Sequence, residues 1–390
     1  MTPQARVQAA IEVLDAVIAA ARGQGASADK IIADFFRARR YMGSGDRRAV
    51  RELAYRAIRH SGEIPASGRS AVLGLIGEDV GLSSLFDGSP HGPALIGSDE
   101  IGAAPSLSPA WLLTELAASG IAGDDAKALL ERAPLDIRIN SLKGEPDLPL
   151  AGEPTQAPAA IRYPHGTPVE QWDAFRAGQI EVQDSGSQIT CLAVGAAPGE
   201  TVIDLCAGAG GKTLALAAAM DNRGRLVACD VDRGRLSRLD PRAQRAGATI
   251  VESRLLGPGQ EHHSLEDLLG QADAVLVDAP CSGTGTWRRN PEARWRLSDK
   301  ELARVTAIQS RLLDLAATLL RPGGRLVFVT CSLLDAEGAD QAATFLARHS
   351  DWRATTPALP AGSPRGAGFR LEPARDATDG FFVAQFTAPW

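Results

Sequence analysis

Cys331 and Cys281 are the residues of this sequence best placed to do chemistry. Each follows a short apolar, β-prone run. Leu326-Val327-Phe328-Val329 leads into Thr330-Cys331-Ser332, and Ala274-Val275-Leu276-Val277 leads into Asp278-Ala279-Pro280-Cys281. Such runs read as buried strands, and open α/β sheets carry ligands and chemistry at the carboxyl ends of their strands. Two thiols and the Asp278 carboxylate therefore emerge at one edge. An ionised thiol is a nucleophile, and a carboxylate beside it can hold or move a proton. As thiols, Cys191, Cys206 and Cys229 lack that polar setting and read as small buried hydrophobes.

A second cluster points to a ligand. Asp204-Leu205-Cys206-Ala207-Gly208-Ala209-Gly210-Gly211-Lys212-Thr213 lies between the apolar run at 201–203 and a helical stretch. Glycines there permit a tight turn and close approach of a ligand to the backbone, and the helix start offers free N–H groups. Asp230 ends the next apolar run, where a carboxylate takes ribose hydroxyls. A Walker loop would need glycine at Cys206, and the glycine order does not fit the dinucleotide fingerprint. S-adenosyl-L-methionine uses the same turn and the same acid without a pyrophosphate, and is the favoured ligand. Cys206 through Lys212, Asp230 and Asp278 are its candidate contacts. No candidate metal site is read.

These groups need elements to hold them. From Ile180 onward strands alternate with helices: 201–203, 226–229, 249–251, 274–277 and 326–329 as strands, with a long helix over 300–320. That alternation predicts a mostly parallel, doubly wound sheet, with 381–386 closing it as an antiparallel strand. From Leu135 the pattern changes: residues 136–140 alternate as a strand, and the Pro/Gly-rich 144–168 predicts long loops. The first part is helical: 5–22, then 28–39, then a helix N-capped by Asp46 with Val50, Leu53, Ala54, Ala57 and Ile58 inward. Ser108-Pro109 reads as the N-cap and first turn of another helix.

The net charge is −6, which by itself disfavours a nucleic-acid partner. Its distribution does not: residues 1–60 hold 11 basic and 6 acidic side chains, a local +5 that leaves −11 elsewhere. Arg47, Arg48, Arg51, Arg56 and Arg59 would be a solvated helix face or a phosphate-contacting one. Arg288, Arg289, Arg294 and Arg296, interleaved with Trp287 and Trp295, suit a phosphate-and-stacking surface or a loop with packed tryptophans. No apolar run approaches the ~20 residues of a membrane span. The start of the chain does not read as a signal peptide, and five cysteines without CxxC predict a reducing, cytoplasmic setting.

The motifs DLCAGAGGKT, VLVDAPCSGTGTWRRNPEARWRL, VFVTCSLLDAEG and DGFFVAQF resemble the Sun/Fmu family of RNA cytosine-5 methyltransferases. VQDSGSQ at 182–188 resembles that family's entry motif, and the pattern over Gly43–Arg59 resembles the NusB-like domain that precedes some RNA methyltransferases. The resemblance implies an α/β fold: a Rossmann-like class I methyltransferase sheet over 181–390, an all-helical NusB-like RNA-binding domain over 1–132 and a small α/β connector over 133–180. It implies Cys331 as the nucleophile that adds to carbon 6 of cytosine, Cys281 as the thiol assisting product release, and Asp278 as the group bonded to the ring. Lys212 and the glycine turn would hold the donor's methionine end and Asp230 its ribose. RNA is the implied partner, ribosomal RNA favoured and transfer RNA the alternative, with neither membrane nor metal.

Two rival readings stand beside it. A Pro-Cys nucleophile, as in DNA cytosine methyltransferases, would make Cys281 the attacking thiol. A non-catalytic RNA-binding or assembly factor would keep the fold alone. The sequence also departs from the family at three places: Gly208-Ala209 where Ala-Pro is usual, Gly186 where Ser or Ala is usual, and no clear third donor-contact acid near 252–256. Glu252 is the nearest candidate, with Arg254 about where the acid is expected.

Overall fold

The computed structural model describes residues 1–23 and 25–390. They form two compact units, one of residues 1–131 with 286–298, the other of residues 132–285 with 299–390.

The first unit is helical. Helix α1 (Pro3–Arg22) buries Val7, Ile11, Leu14, Val17 and Ile18, the stripe its 3.6-residue spacing predicts. That stripe shares a core with Ile32 and Phe36 of α2 (Ala28–Ala38) and with Val50, Ala54, Ala57 and Ile58 of α3 (Ser44–His60). Two expected caps are corrected. Gly43 is the N-cap of α3, and Asp46 sits inside its first turn, where Arg6 Nε and the Met1 amine bind its carboxylate. Pro109, not Ser108, caps the Ala110–Ala118 helix, because the Ser108 hydroxyl turns to the Pro109 carbonyl instead. On α3, Arg48 and Arg51 are exposed, while Arg56 pairs with Asp79 and Arg59 bonds the Arg288 carbonyl.

The segment 286–298 overturns the phosphate-and-stacking reading. Trp287 and Trp295 are buried and Arg294 is fully so. The Arg294 guanidinium donates to the carbonyls of Ile58 (2.6 Å), Arg59 (3.1 Å) and Ser61 (2.9 Å) at the end of α3. Trp295 Nε1 donates to the same Ser61 carbonyl at 2.8 Å. Arg296 donates to the Ala26 carbonyl, and Glu292 accepts the Ala28 N–H that opens α2. Helix ends leave carbonyls and N–H groups without intrahelical partners, and this segment supplies them. Arg294→Ala strands buried carbonyls and is expected to cost about 2–4 kcal/mol, read by chemical denaturation. A loss under about 0.5 kcal/mol, the size of a surface substitution, contradicts this account.

The second unit holds two sheets. The small one is antiparallel, order β2-β3-β1-β4, from β1 (Leu135–Ile139), β2 (Glu153–Pro154), β3 (Ala160–Tyr163) and β4 (Ile180–Val182). Strands β2 and β3 lie in the stretch expected to be loop. Ile161 pairs with Ile137 and Tyr163 with Leu135 there, two apolar cross-strand matches beside a Pro/Gly-rich sequence. Asp136 of β1 is fixed by the Arg162 guanidinium at 2.7 Å and the Ser185 N–H at 3.0 Å.

The large sheet runs β11-β12-β13-β9-β8-β5-β6-β7, with β10 (Arg353–Thr355) also paired to β13. Strands β5 (Thr201–Asp204), β6 (Arg225–Asp230), β7 (Val251–Leu255), β8 (Ala272–Asp278) and β9 (Leu320–Thr330) are parallel. Strand β7 begins where the expected 249–251 strand ends. Strand β13 (Phe381–Thr387) is antiparallel to β9 and to β12 (Gly368–Leu371), with β11 (Ser363–Arg365) outermost. The central strands are apolar on both faces because helices cover both: Ile203, Val275 and Phe328 pack into one core, Val202, Leu276 and Val327 into the other. The chain moves outward from β5 to β7, then returns to place β8 on the other side of β5. That reversal opens a crevice at the carboxyl ends of β5, β6 and β8. No helix among the described residues is long and apolar enough to cross a membrane.

Candidate active site

Register explains why the two thiols meet. Asp278 pairs with Val329 across the parallel β8–β9 ladder, so both strands run out at one level. The loops beyond are joined by Ala279 N–H to the Val329 carbonyl (2.9 Å) and Gly285 N–H to the Cys331 carbonyl (3.0 Å). The Cys281 and Cys331 sulfurs lie 3.3 Å apart, in hydrogen-bond contact, and all five cysteines are free. The hydrogen bond with Cys331, reinforced by burial, pushes the Cys281 thiol well above its ordinary pKa.

Both thiols face a cavity of about 580 Å³. Asp230, Asp278 and Cys206 line it too, with Leu256, Ile308 and Leu312 as an apolar wall. Five of the eleven sequence-derived candidates thus share one space. Ala207, Gly208, Ala209, Gly210, Gly211 and Lys212 form the turn behind it. Gly208 N–H donates to Asp230 Oδ2 and Asp232 N–H to Oδ1, both at 2.8 Å, which fixes the carboxylate in one plane. Each oxygen retains a lone pair for a ribose hydroxyl. Gly210 adopts φ +86°, and a Cβ there would fall 2.1 Å from Leu239 Cδ1, so the turn needs glycine. Arg242 donates to the Ala209 carbonyl at 2.6 Å and to Glu181 of β4 at 2.9 Å, so the small sheet braces the turn.

Lys212 reaches Asp278 at 2.7 Å and lies 5.4 Å from the centre of the Phe381 ring. Burial opposes its charge, but the Asp278 carboxylate outweighs it and holds the ammonium's pKa above the ordinary value. Burial pushes the carboxyl of Asp204, which accepts from Thr213 at 2.6 Å, up to about 7. Burial likewise raises the Cys206 thiol.

Two of the three departures have physical accounts. A Cβ on Gly186 would approach Thr378 and Phe381 to 2.9 and 3.0 Å, so the space is taken. Glu252 pairs in register with Val227, below the cavity, and is bound to Arg225, the first residue of β6. Arg254 is bound to Asp267. Where a third acid is expected the wall is Leu256, Pro258 and Gly259; Glu261, buried and held by Arg311 at 2.8 Å, is the carboxylate that lines the cavity. Sequence reasoning missed Glu261, Arg235, Arg304 and Arg311, which carry no motif. It also missed Glu337, which is bonded to the serines after both thiols.

Sheet order and site together define a Rossmann-like class I methyltransferase domain bearing a two-thiol centre. A family model described as 16S rRNA methyltransferase RsmB/F matches residues 191–387. Ribosomal RNA small subunit methyltransferase B of Xylella fastidiosa is 37% identical over 292 residues, 71% of this chain and 68% of that one. The Citrobacter koseri protein of the same name is 34% identical over 294 residues, 72% of this chain and 66% of its own. The match covers 51% of the Salmonella paratyphi B protein, so the chain spans between half and about two thirds of these three relatives. Among solved structures, a methyltransferase homologue from Pyrococcus horikoshii is 26% identical, with TM-score 0.57 over 72% of this chain and all of that one. The crystal structure of PH0851 shares the fold at TM-score 0.77 over 99% of both chains, at 24% identity. The chain belongs to the RsmB/F family of 16S rRNA methyltransferases.

Proposed function

We propose that this protein transfers a methyl group from S-adenosyl-L-methionine to carbon 5 of a cytosine in RNA, with ribosomal RNA the favoured substrate, through a covalent adduct on Cys331. The observation that carries the reading is the pair of sulfurs 3.3 Å apart, opening with Asp278 on one cavity. The donor supplies a methyl group on a positively charged sulfur. Asp230 would take its ribose, and the apolar wall of Leu256 and Leu312 would receive its base. Lys212 and the Gly208–Gly211 turn are assigned to its methionine end.

Carbon 5 of cytosine is a poor nucleophile. The Cys331 thiolate bonds to carbon 6, and the electron pair of the C5–C6 double bond then takes the methyl carbon as its bond to the donor sulfur breaks. The Asp278 carboxylate accepts from the exocyclic amine, and from the ring nitrogen once that nitrogen has taken up a proton from solvent as addition at carbon 6 puts charge on it. With Cys331 bonded to carbon, the Cys281 thiol releases its proton to solvent, and the resulting thiolate accepts the proton from carbon 5. The double bond re-forms, and the S–C6 pair returns to Cys331. Once the Cys331 sulfur is bonded to carbon, the chief cause of Cys281's raised pKa is gone. The base must be unpaired or flipped to reach two strand-end thiols. Five free thiols accord with work in the cytoplasm.

The test is transfer of labelled methyl from the donor to small-subunit ribosomal RNA, with the product mapped by bisulfite sequencing. A single protected cytosine is expected. Donor binding without methylation of ribosomal or transfer RNA would favour the non-catalytic reading.

A further inference from the structure

The two sulfurs sit on separate loops, and no disulfide fixes their spacing. Glu337, in the turn after β9, lies between those loops with its side chain fully buried. Its Oε1 accepts the Ser282 N–H at 2.8 Å and the Gln309 amide at 3.1 Å. Its Oε2 accepts the Ser332 hydroxyl at 2.6 Å and the Ser282 hydroxyl as well. Ser282 follows Cys281, and Ser332 follows Cys331. One carboxylate is thus bonded to the neighbour of each thiol.

The residues before the thiols are held by the same group. Gln309 Nε2 also donates to the Pro280 carbonyl at 2.9 Å, and the Thr330 hydroxyl donates to Glu337's own carbonyl at 3.1 Å. Thr284 completes the set, in contact with the Ser332 hydroxyl and accepting the Leu333 N–H at 2.8 Å. No cation pairs with Glu337 among the described residues. Burying a carboxylate is costly unless donors surround it, and here four do.

We propose that Glu337 is a positioning residue of the two-thiol centre: it holds the Cys281 and Cys331 loops at the separation at which one sulfur attacks and the other serves as base. The proposal rests on the methyl-transfer reading for its purpose, not for its geometry. A carboxylate suits the place because both oxygens only accept, and every neighbour donates. Glutamine keeps one such oxygen. The two serine hydroxyls can turn to accept from its NH₂, so Glu337→Gln retains part of the clamp. Alanine retains none.

The test reads the sulfur spacing directly. Diamide oxidises two adjacent thiols to a disulfide, taking two electrons and two protons to become the hydrazine. The Cys281–Cys331 bond is followed by mass spectrometry after alkylation. Glu337→Ala is expected to close it about tenfold or more slowly than the native protein, with Glu337→Gln between them. If Glu337→Ala does not fold, Glu337→Gln and Ser282→Ala carry the test, each expected to be about threefold slower. In methylation assays Glu337→Gln is expected to lower kcat and leave KM for donor and RNA unchanged. Folded variants that close the disulfide within about twofold of the native rate overturn the proposal, whatever their activity. If the native protein methylates no RNA, the functional reading fails, and the disulfide rates still judge Glu337.

Discussion

The Cys281→Ala variant is expected to run on a denaturing gel as a slow band, bonded to its RNA. Without a thiol to take the carbon 5 proton, the methylated ring cannot eliminate Cys331, and the S–C6 bond persists. The two sulfurs are in hydrogen-bond contact at 3.3 Å, and this expectation follows from the proposed roles, with Cys331 attacking and Cys281 taking the proton. Cys331→Ala is then expected to abolish both the band and methyl transfer, with turnover falling about 10⁴-fold or more. The double variant should resemble Cys331→Ala, since no adduct forms for the missing base to release. Stability should change little in either single variant, because both side chains line the cavity and are only partly buried. On the Pro-Cys rival, Cys281→Ala would instead give the inactive, adduct-free protein, and Cys331→Ala the band.

Strands β5, β6, β8 and β9 were legible because a strand buried on both faces is an unbroken apolar run. Their carboxyl ends were therefore legible too, and with them Asp204, Asp230, Asp278, Cys281 and Cys331. Strands β2 and β3 were not, since two- and four-residue strands inside a Pro/Gly-rich stretch leave no period to read. The Arg/Trp-rich segment misled for a different reason. Cations interleaved with aromatic rings suit both a phosphate surface and a helix-capping plug. Only the register of Arg294 against the end of α3 decides between them. Glu337 was invisible in sequence because its role depends on two loops that converge from positions about fifty residues apart.

Asp278→Asn is expected to lower methyl transfer about 10²–10³-fold while the variant still folds. The amide can accept from Lys212, but it carries no charge to offset the ammonium or to answer charge on the ring. Stability should fall as well. Asp278 is about a third exposed and Lys212 nearly buried, so an unpaired ammonium there costs about 2–3 kcal/mol after allowance for screening. The pH dependence separates this loss from a packing defect. In the native protein the folded state holds the Lys212 proton more tightly than the unfolded chain does. The pair therefore stabilises fully below the ordinary value of 10.5, and its contribution disappears as pH rises through the higher folded value. In Asp278→Asn, burial, the largest influence on Lys212, is opposed only by the weaker pulls of Cys191 and Cys331, and the pKa is expected to fall below its ordinary value, so the sign reverses. The deficit should be present at pH 7 and shrink as pH rises toward 10.5. Urea denaturation of the two proteins at pH 7 and pH 10 checks this, and a deficit equal at both would place the damage in packing rather than in the ion pair.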